Sequence, residues 1–232
     1  MVQRSGTAIP IITVDGPSGV GKGTLCIRLA KHFGWHLLDS GAIYRALALC
    51  IDNTHVDLNN NNEIVNKTMY LDVLFESKDE EMDVYLEGKL VSSELRSERI
   101  GELASKLAAM PEVRDALLQR QRDFAQSPGL VADGRDMGSV VFPHAPLKIF
   151  LNASVEERGR RRYKQLKAKG CNVNLAQLLR EIAARDSRDA QRSVAPLKAT
   201  EDAHQIDTTH LSADEVFEIV LKLSEQKFGL AI

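Results

Sequence analysis

The sequence predicts an α/β fold in which a parallel sheet is flanked by helices on both faces and a small antiparallel sheet is inserted. Three observations predict this fold. Apolar runs of strand length alternate with helical patterns along most of the chain. A glycine-rich segment joins the first apolar run to the first helical pattern. The alternation is interrupted by short strand patterns between residues 69 and 86.

The chain opens with a strand, a helix, a second strand and a second helix. Residues 11–14 form a largely β-branched run, Ile-Ile-Thr-Val, which is typical of a buried parallel strand. Apolar side chains at helical spacing over residues 25–33 predict a helix, and residues 35–38 predict the second strand. Ser40 is predicted to cap a helix whose apolar face covers residues 43–51.

The character of the sequence changes at a polar segment, residues 59–62, which is predicted to be a loop. Residues 69–75 and 82–86 are two short strand candidates. Residues 87–89 (Glu-Gly-Lys) then form a turn towards a third short run at residues 90–91. These patterns predict a small antiparallel sheet inserted into the alternating fold.

Strand and helix patterns alternate again in the second half of the chain. Helical spacing runs from residue 100 to residue 124 and is broken at Pro111. Three further strands are predicted at residues 130–132, 147–151 and 205–206. Because strands that alternate with helices form parallel sheets, we expect helices on both faces of the sheet. The order of the strands does not follow from these patterns.

Composition and charge argue against several classes of protein. Thirty Lys and Arg against 32 Asp and Glu give a net charge of −2, which disfavours bulk binding to nucleic acid or to an anionic membrane. The three cysteines show neither a disulfide framework nor metal-ligand spacing, which indicates a reducing compartment. No apolar run approaches the ~20 residues of a membrane span. We therefore expect a cytoplasmic protein with no nucleic-acid or membrane partner. A monomer is also expected, although these features say little about oligomeric state.

A phosphate-binding loop is predicted at residues 16–24, GPSGVGKGT, between the first strand and the first helix. Its backbone N–H groups can curl around an anion, and the helix N-terminus adds partial positive charge. Lys22 would reach the β- and γ-phosphates. Gly23 stands where the motif expects Ser or Thr, so direct magnesium ligation by the loop is not expected. The predicted ATP-binding residues are Gly16, Pro17, Ser18, Gly19, Val20, Gly21, Lys22, Gly23 and Thr24.

Such a loop serves small-molecule kinases, GTP-dependent switches and ATP-driven motors. A switch should carry an Asn-Lys-x-Asp motif, but the nearest string, at residues 66–69, ends in Met69. A motor usually shows a strand that ends in Asp-Glu, whereas Asp133 is followed by Gly134. Both alternatives are weakened, and a kinase is favoured.

Basic residues are concentrated between residues 158 and 192. This window holds 11 basic and three acidic residues, so its net charge is +8 while that of the remaining chain is −10. Arginines stabilise the negative charge on a transferring phosphoryl group. One predicted helix face beside an apolar stripe holds Arg185, Arg188, Asp189 and Arg192. That position favours the wall of a cleft over an open, solvated surface.

Four segments together resemble bacterial cytidylate kinases. They are the loop GPSGVGKGT, LLDSGAIYR at residues 37–45, ADGRDMGSVVFP at 132–143 and RDSRDAQRSVAP at 185–196. The loop is shared with many kinases, but the other three in this order are highly specific. The resemblance extends over essentially the whole chain, including the predicted insert. In that family a core binds ATP, an insert binds CMP, and an arginine-rich lid closes over both nucleotides.

The resemblance implies a division of the chain and a reaction. The core would comprise residues 1–58, 101–157 and 173–232, the monophosphate-binding insert residues 59–100, and the lid residues 158–172. The implied reaction transfers the γ-phosphoryl group of ATP, with magnesium, to CMP or dCMP, giving CDP or dCDP and ADP. Another nucleoside monophosphate kinase, specific for UMP or for pyrimidines broadly, stays an alternative, and a P-loop switch is a more remote one.

The resemblance also implies which residues contact the acceptor nucleotide. Three arginines would hold the phosphate of CMP, a second set would contact cytosine, and an arginine and an aspartate would reach the ribose hydroxyls. In that order the residues are Arg45, Arg135 and Arg192; Ser105, Arg114 and Asp136; and Arg185 and Asp189. Ser40 is expected to bind the same substrate.

Catalytic residues are implied by the same comparison. The expected catalytic residues are Lys22, the lid arginines Arg161 and Arg162, and Arg185. Asp133, at the end of a core strand, is the expected outer-shell magnesium residue. No general base is needed, because CMP attacks through a phosphate oxygen that is already ionised. Catalysis then requires alignment, charge neutralisation and exclusion of water.

Overall fold

The computed structural model describes residues 9–78, 81–168, 170, 172–192 and 194–229. Strands and helices alternate at both ends of the chain, and the predicted α/β fold is confirmed. In chain order the elements are β1 (Ile11–Asp15), α1 (Lys22–Phe33), β2 (His36–Asp39), α2 (Ser40–Asn53), α3 (Asn61–Met69), β3 (Val73–Lys78), β4 (Glu81–Leu86), β5 (Lys89–Leu90), α4 (Glu98–Leu107), α5 (Pro111–Arg122), β6 (Leu130–Gly134), β7 (Leu147–Asn152), α6 (Val155–Ala168), α7 (Leu175–Ala190), β8 (His204–Asp207) and α8 (Ala213–Phe228).

The main sheet has five strands in the order β2-β6-β1-β7-β8, and all neighbouring pairs are parallel. Its register places Val14 of β1 and Asp39 of β2 on either side of Asp133 of β6. The carboxyl ends of these strands therefore meet at one edge. In open parallel sheets, ligands bind outside this edge.

Helices cover both faces of the main sheet. Leu130 and Ala132 of β6 pack into one apolar cluster, with α2, α4 and α5, whereas Val131 packs into another, with α1 and α8. This alternation follows from strand geometry, in which successive side chains point to opposite faces. Within the described residues no helix combines the length and apolar character needed to cross a membrane.

The small sheet consists of β3, β4 and β5 in antiparallel order, as the sequence predicts. Glu87 and Gly88 connect β4 to β5, and both have positive φ, 50° and 73°. Such a turn matches the twist of a tight hairpin. Val84 and Leu86 point into the apolar cluster beside α2, so the insert packs on the core.

Several local predictions require correction. Asp39, rather than Ser40, caps α2: its carboxylate accepts a hydrogen bond from the N–H of Ala42 at 2.9 Å. The segment at 59–62 is not all loop, because Asn60 caps a helix over Asn61–Met69. The first strand of the insert consequently begins at Val73 rather than at residue 69. Pro111 breaks the helical pattern as predicted, and it starts α5.

Candidate active site

A large cleft opens at the carboxyl edge of the main sheet. It has a volume of about 1280 Å³ and is called the central cleft below. The phosphate loop, α2, α4, the segment after β6, α6 and α7 all contribute to its walls. Two nucleotides can be accommodated in a space of this size, because small-molecule pockets usually measure ~300–1,000 Å³.

The phosphate loop joins β1 to α1 with glycines in conformations that other residues rarely adopt. Gly16, Gly19 and Gly21 have φ of 147°, 83° and 98°. A Cβ atom on Gly16 would lie 2.2 Å from the carbonyl oxygen of Leu151, so the close approach of the loop to β7 requires glycine. Gly21 caps α1 without a side-chain hydrogen bond, which leaves the first-turn N–H groups without a side-chain cap.

Three carbonyl groups of the phosphate loop accept hydrogen bonds from side chains, one from within the loop and two from other parts of the fold. The Nζ of Lys22 donates to the carbonyl of Pro17 at 3.0 Å. Arg158 of α6 donates to the carbonyl of Ser18 at 3.1 Å. The carbonyl of Val20 accepts from the hydroxyl of Thr208 at 3.2 Å. Each bond fixes one peptide plane of the loop.

Lys22 and Asp133 form a buried pair at the base of the central cleft, with Nζ and Oδ1 3.8 Å apart. Burial lowers the pKa of Lys22, and the nearby charge of Arg135 lowers it further. Burial raises the pKa of Asp133, although the Lys22 ammonium opposes this shift. A bound polyanion would compensate the charge of Lys22, and a divalent cation would compensate the charge of Asp133. Together they would offset the free-energy cost of burying the two charges.

Asp133 fits the chemistry of a magnesium residue. A Cβ atom on Gly23 would lie 3.7 Å from Oδ2 of Asp133, so the carboxylate faces the position where related loops carry Ser or Thr. No group of three or more His, Cys, Asp or Glu residues suited to a metal occurs in the part of the chain that the structure describes. One carboxylate is nevertheless sufficient for Mg²⁺, which takes most of its ligands from phosphates and water.

Asp189 of α7 lies at the centre of a charged cluster and is only 1% exposed. Its carboxylate accepts from Nε of Arg135 at 3.0 Å, from Arg192 and from the hydroxyl of Ser105 at 3.4 Å. Burial opposes ionisation of Asp189, but the three arginines Arg135, Arg192 and Arg185 outweigh it and lower the pKa. The cluster brings together residues from α4, α7, the segment after β6 and the segment after α7. Arg192 lies two residues beyond the last residue of α7, so it is not on the helix face that the sequence predicts.

Arg114 and Asp136 form a second buried pair in the central cleft, next to the Asp189 cluster because Asp136 directly follows Arg135. Their side chains are 8% and 6% exposed, and the guanidinium donates to the carboxylate. Arg114 also donates to the carbonyl of Ala108 at 3.3 Å. Burial raises the pKa of Asp136, while Arg114 holds it down. A paired arginine and carboxylate offer a donor and an acceptor to a planar base.

Arg45 and Arg185 point cationic groups at the same region. Arg45 donates to the carbonyl of Leu95 at 2.5 Å, and burial lowers its pKa. Burial, with the charges of Arg135 and Arg45, lowers the pKa of Arg185 to about 10. The Nε of Arg185 has no hydrogen-bond partner among the described residues. Several cations in a poorly solvated cleft create a strong potential for anions.

The two expected lid arginines lie on α6 and have different partners. Arg161 donates to Oε1 of Glu157 at 3.1 Å and to the carbonyl of Thr208 at 2.5 Å, close to the phosphate loop. Arg162 spans the cleft and donates to Oε1 of Glu98 at 2.6 Å. One arginine is therefore held near the loop, and the other contacts the first turn of α4.

The structure brings nearly all the sequence-predicted site residues to the central cleft. Ser40 lines it too, and its hydroxyl donates to Oε1 of Gln121 at 2.7 Å. Gly16 and Pro17 do not line the cleft, although the carbonyl of Pro17 accepts the hydrogen bond from Lys22. The predicted residues that line the cleft are Ser18, Gly19, Val20, Gly21, Lys22, Gly23, Thr24, Ser40, Arg45, Ser105, Arg114, Asp133, Arg135, Asp136, Arg161, Arg162, Arg185, Asp189 and Arg192.

Two buried polar residues near the cleft were not predicted. Tyr44 lines it, and its hydroxyl has no hydrogen-bond partner among the described residues. Asp15 accepts from the N–H groups of Met137 and Gly138, each at 2.8 Å, and so fixes the segment that carries Asp136. Both residues lie in or beside the segments with family resemblance, which is the one signal that could have marked them.

Comparison with known proteins decides the family. The profile of the cytidylate kinase family matches residues 12–226. The chain belongs to the cytidylate kinase family. A cytidylate kinase from Aeromonas salmonicida is 57% identical over 220 residues, which cover 95% of this chain and 96% of that protein. One from Pseudomonas fluorescens is 58% identical over 214 residues, which cover 91% of this chain and 93% of that protein.

Among solved structures, a shikimate kinase from Bacteroides thetaiotaomicron aligns with a TM-score of 0.47 and 14% identity, covering 96% of this chain and 100% of that chain. Membership of the cytidylate kinase family confirms the kinase interpretation of the phosphate loop. The switch and motor interpretations are thereby discarded.

Proposed function

We propose that the protein transfers the γ-phosphoryl group of ATP to CMP or dCMP, giving ADP and CDP or dCDP. One observation beyond family membership carries this proposal. The phosphate loop and the two Arg–Asp pairs, Arg114–Asp136 and Arg135–Asp189, face the same central cleft. A donor site and an acceptor site that share one cleft are what direct transfer between two nucleotides requires.

On the acceptor side, the contacts support separate roles for the two aspartates. Asp136 and Arg114 can pair with the amine and ring acceptors of cytosine, because the carboxylate accepts and the guanidinium donates. Asp189 can accept from a ribose hydroxyl, with Ser105 beside it. Arg45, Arg135 and Arg192 supply forked donors for the CMP phosphate.

On the donor side, the loop residues 16–24 would hold the phosphates of ATP, with Lys22 at the β- and γ-phosphates. Mg²⁺ would be held by those phosphates and by Asp133, and it would neutralise charge on the transferring group. Arg161, Arg162 and Arg185 would add positive charge around the acceptor and donor phosphates. Electrostatic stabilisation of this kind is usually the largest single contribution to such catalysis.

The reaction needs no general base from this chain. The attacking phosphate oxygen of CMP is already ionised near neutral pH, since the second pKa of a phosphate monoester is ~6. The protein's contribution is to orient the two phosphates, to neutralise their repulsion and to exclude water. This accounts for a site rich in arginines, in which Asp133 at the base of the central cleft is paired with Lys22.

The division of the chain is part of the proposal. We assign residues 59–100 to acceptor binding and residues 158–172 to a lid. Support comes from the small sheet, which is separate from the main sheet, and from the Arg162–Glu98 ion pair across the cleft. Slower amide hydrogen exchange in both segments on nucleotide binding would support the assignment, and unchanged exchange would contradict it.

A substrate panel tests the function. ADP formation should be measured with ATP, magnesium and each of CMP, dCMP, UMP and AMP. We expect CMP and dCMP to be good acceptors, UMP to be poor and AMP to be inactive, because a site built to hydrogen-bond one base edge rejects an analogue lacking it by up to ~10⁴-fold. Equal turnover of UMP and CMP would favour the alternative of broad pyrimidine specificity. Turnover of AMP equal to that of CMP would refute the assignment.

A further inference from the structure

Arg158 is a buried arginine of α6 that none of the nucleotide roles above uses. Its side chain is only 3% exposed. Nε donates to the carbonyl of Ala153 at 3.0 Å, and Nη1 donates to the carbonyl of Ser18 at 3.1 Å. The two terminal nitrogens also bind both carboxylate oxygens of Asp186, at 3.0 and 2.5 Å. One cation thus joins the phosphate loop, the start of α6 and the helix α7.

The chemistry of this contact set requires arginine. A guanidinium presents five N–H donors in a fixed plane, so it can hold a carboxylate with two bonds and still reach two carbonyls. A lysine ammonium is a compact point charge with no such fork. The loop also packs directly on this side chain, since a Cβ atom on Gly19 would lie 3.3 Å from Cβ of Arg158.

The position of Asp186 on α7 gives the contact a functional meaning. Arg185 precedes it directly, and Asp189 follows one helical turn later. Both neighbours line the acceptor part of the central cleft, whereas Ser18 belongs to the donor loop. The Arg158–Asp186 pair is therefore a direct side-chain link from the donor loop to the helix that carries acceptor residues.

We propose that Arg158 and Asp186 form a strut that keeps the phosphate loop and α7 in register, and so aligns the two nucleotides for transfer. The strut is defined as Arg158, Asp186 and the Ser18 carbonyl. Arg158 and Asp186 are positioning residues, because they act through Ser18, Arg185 and Asp189. The inference rests on the proposed function, since it concerns alignment of ATP with the acceptor.

A strut of this kind has a distinct kinetic signature. The residues that contact each nucleotide are unchanged when the strut is weakened, so the KM values for ATP and CMP should change little. The reacting atoms, however, are no longer held in line, and a misplacement of about 1 Å costs ~10²-fold in rate. The loss should therefore appear in kcat.

The experiment compares strut variants with a matched surface pair. The strut variants are Arg158→Lys, Asp186→Asn and the double variant. The controls are Arg28→Lys and Asp214→Asn, which alter an ion pair between α1 and α8 whose side chains are 34% and 85% exposed. Steady-state kinetics with ATP and CMP should be measured for all five, with thermal unfolding as a check of folding.

We expect each strut variant to lower kcat roughly 10- to 100-fold with both KM values within about threefold of the parent. The double variant should lose no more than the worse single variant, because residues that act as one unit are not additive. The controls should keep the parent kcat. If Arg158→Lys does not fold, Asp186→Asn carries the test alone, since Asp186 is 23% exposed.

Three results would contradict the proposed role of the strut. The first is a parent kcat in folded Asp186→Asn protein. The second is a rise in the KM of ATP in Arg158→Lys that Asp186→Asn does not share, because Arg158 would then bind ATP itself. The third is additive losses in the double variant. Failure of the parent protein to phosphorylate CMP would instead refute the proposed function, so the two failures are distinguishable.

Discussion

Asp189 combines near-complete burial with three hydrogen-bond donors around its carboxylate. Burying charged groups costs free energy unless each charge is paired. Clusters of buried charges with shifted pKa values therefore often mark ligand-binding sites. Arg185 lies four residues before Asp189 on the same helix, a spacing at which an arginine and an aspartate can pair. In the structure Asp189 instead bonds Arg135 and Arg192, which are the arginines expected to hold phosphate.

Replacement of this carboxylate should affect activity in a sugar-dependent manner. Asp189→Ala removes a charged acceptor, and loss of such a hydrogen bond costs ~1.5–3 kcal/mol, or roughly 10- to 150-fold in kcat/KM. The loss should differ between CMP and dCMP, because dCMP lacks the 2′-hydroxyl as a partner. Steady-state kinetics with both nucleotides measure it, and Asp214→Ala serves as an exposed control. Equal, small losses for the two substrates would remove Asp189 from the site.

Much of the site was predictable from the sequence at this scale, because most of its residues lie in four recognisable segments; Ser105, Arg114, Arg161 and Arg162 lie outside them. Contacts between distant segments were not predictable. Ser105 and Asp189 are 84 residues apart, as the chain is numbered, and only the packed fold shows their hydrogen bond. Likewise Asp39 replaced Ser40 as the cap of α2, since both residue types cap helices well and the sequence does not rank them.

Among the elements, α3 shows why the insert was only partly predicted. Its sequence, NNEIVNKTM, contains few strong helix formers. The helix forms because Asn60 caps it and because Ile64 and Thr68, one turn apart, are buried against the core. Tertiary packing therefore outweighs local propensity here, as it commonly does. The neighbouring hairpin was predictable, since its turn residues and alternation are local signals.

The junction of β1 with the phosphate loop supports a prediction about two glycines. Gly16→Ala should destabilise the protein more than Gly21→Ala. Both have positive φ, which costs ~1–3 kcal/mol for another residue, but only the Gly16 variant also meets a backbone carbonyl, that of Leu151. No atom lies within 4 Å of a Cβ on Gly21. Thermal unfolding of the two variants measures the difference, and equal losses would contradict the packing argument.

For the molecule as a whole, the strand order illustrates what local patterns omit. The chain visits the central strand β1 first, then the edge strand β2, and returns to place β6 between them. Alternation of strands and helices predicts a parallel sheet but leaves this order open. The order matters for function, because it brings Asp39 and Asp133 side by side, with the loop after Asp15 on the adjacent strand.

The concentration of cations in one cleft predicts how the whole molecule responds to nucleotides. Ligands that bind only the folded state raise its stability by ~2.7 kcal/mol at 100 times their Kd. In a domain of this size each kcal/mol shifts Tm by ~2–4 °C, so saturating CMP with an unreactive ATP analogue should raise Tm by about 5–10 °C. The rise in Tm should shrink with added salt, because the added ions compete with the arginines for the phosphates.

AMP in place of CMP should give a smaller rise in Tm, because adenine does not offer Asp136 and Arg114 the hydrogen-bonding groups of cytosine. Differential scanning fluorimetry measures these shifts, with Asp214→Asn as a control that keeps them. Identical rises in Tm for CMP and AMP would show that the cleft does not distinguish the bases. A rise that does not change with salt would show that the nucleotides do not bind through the arginines.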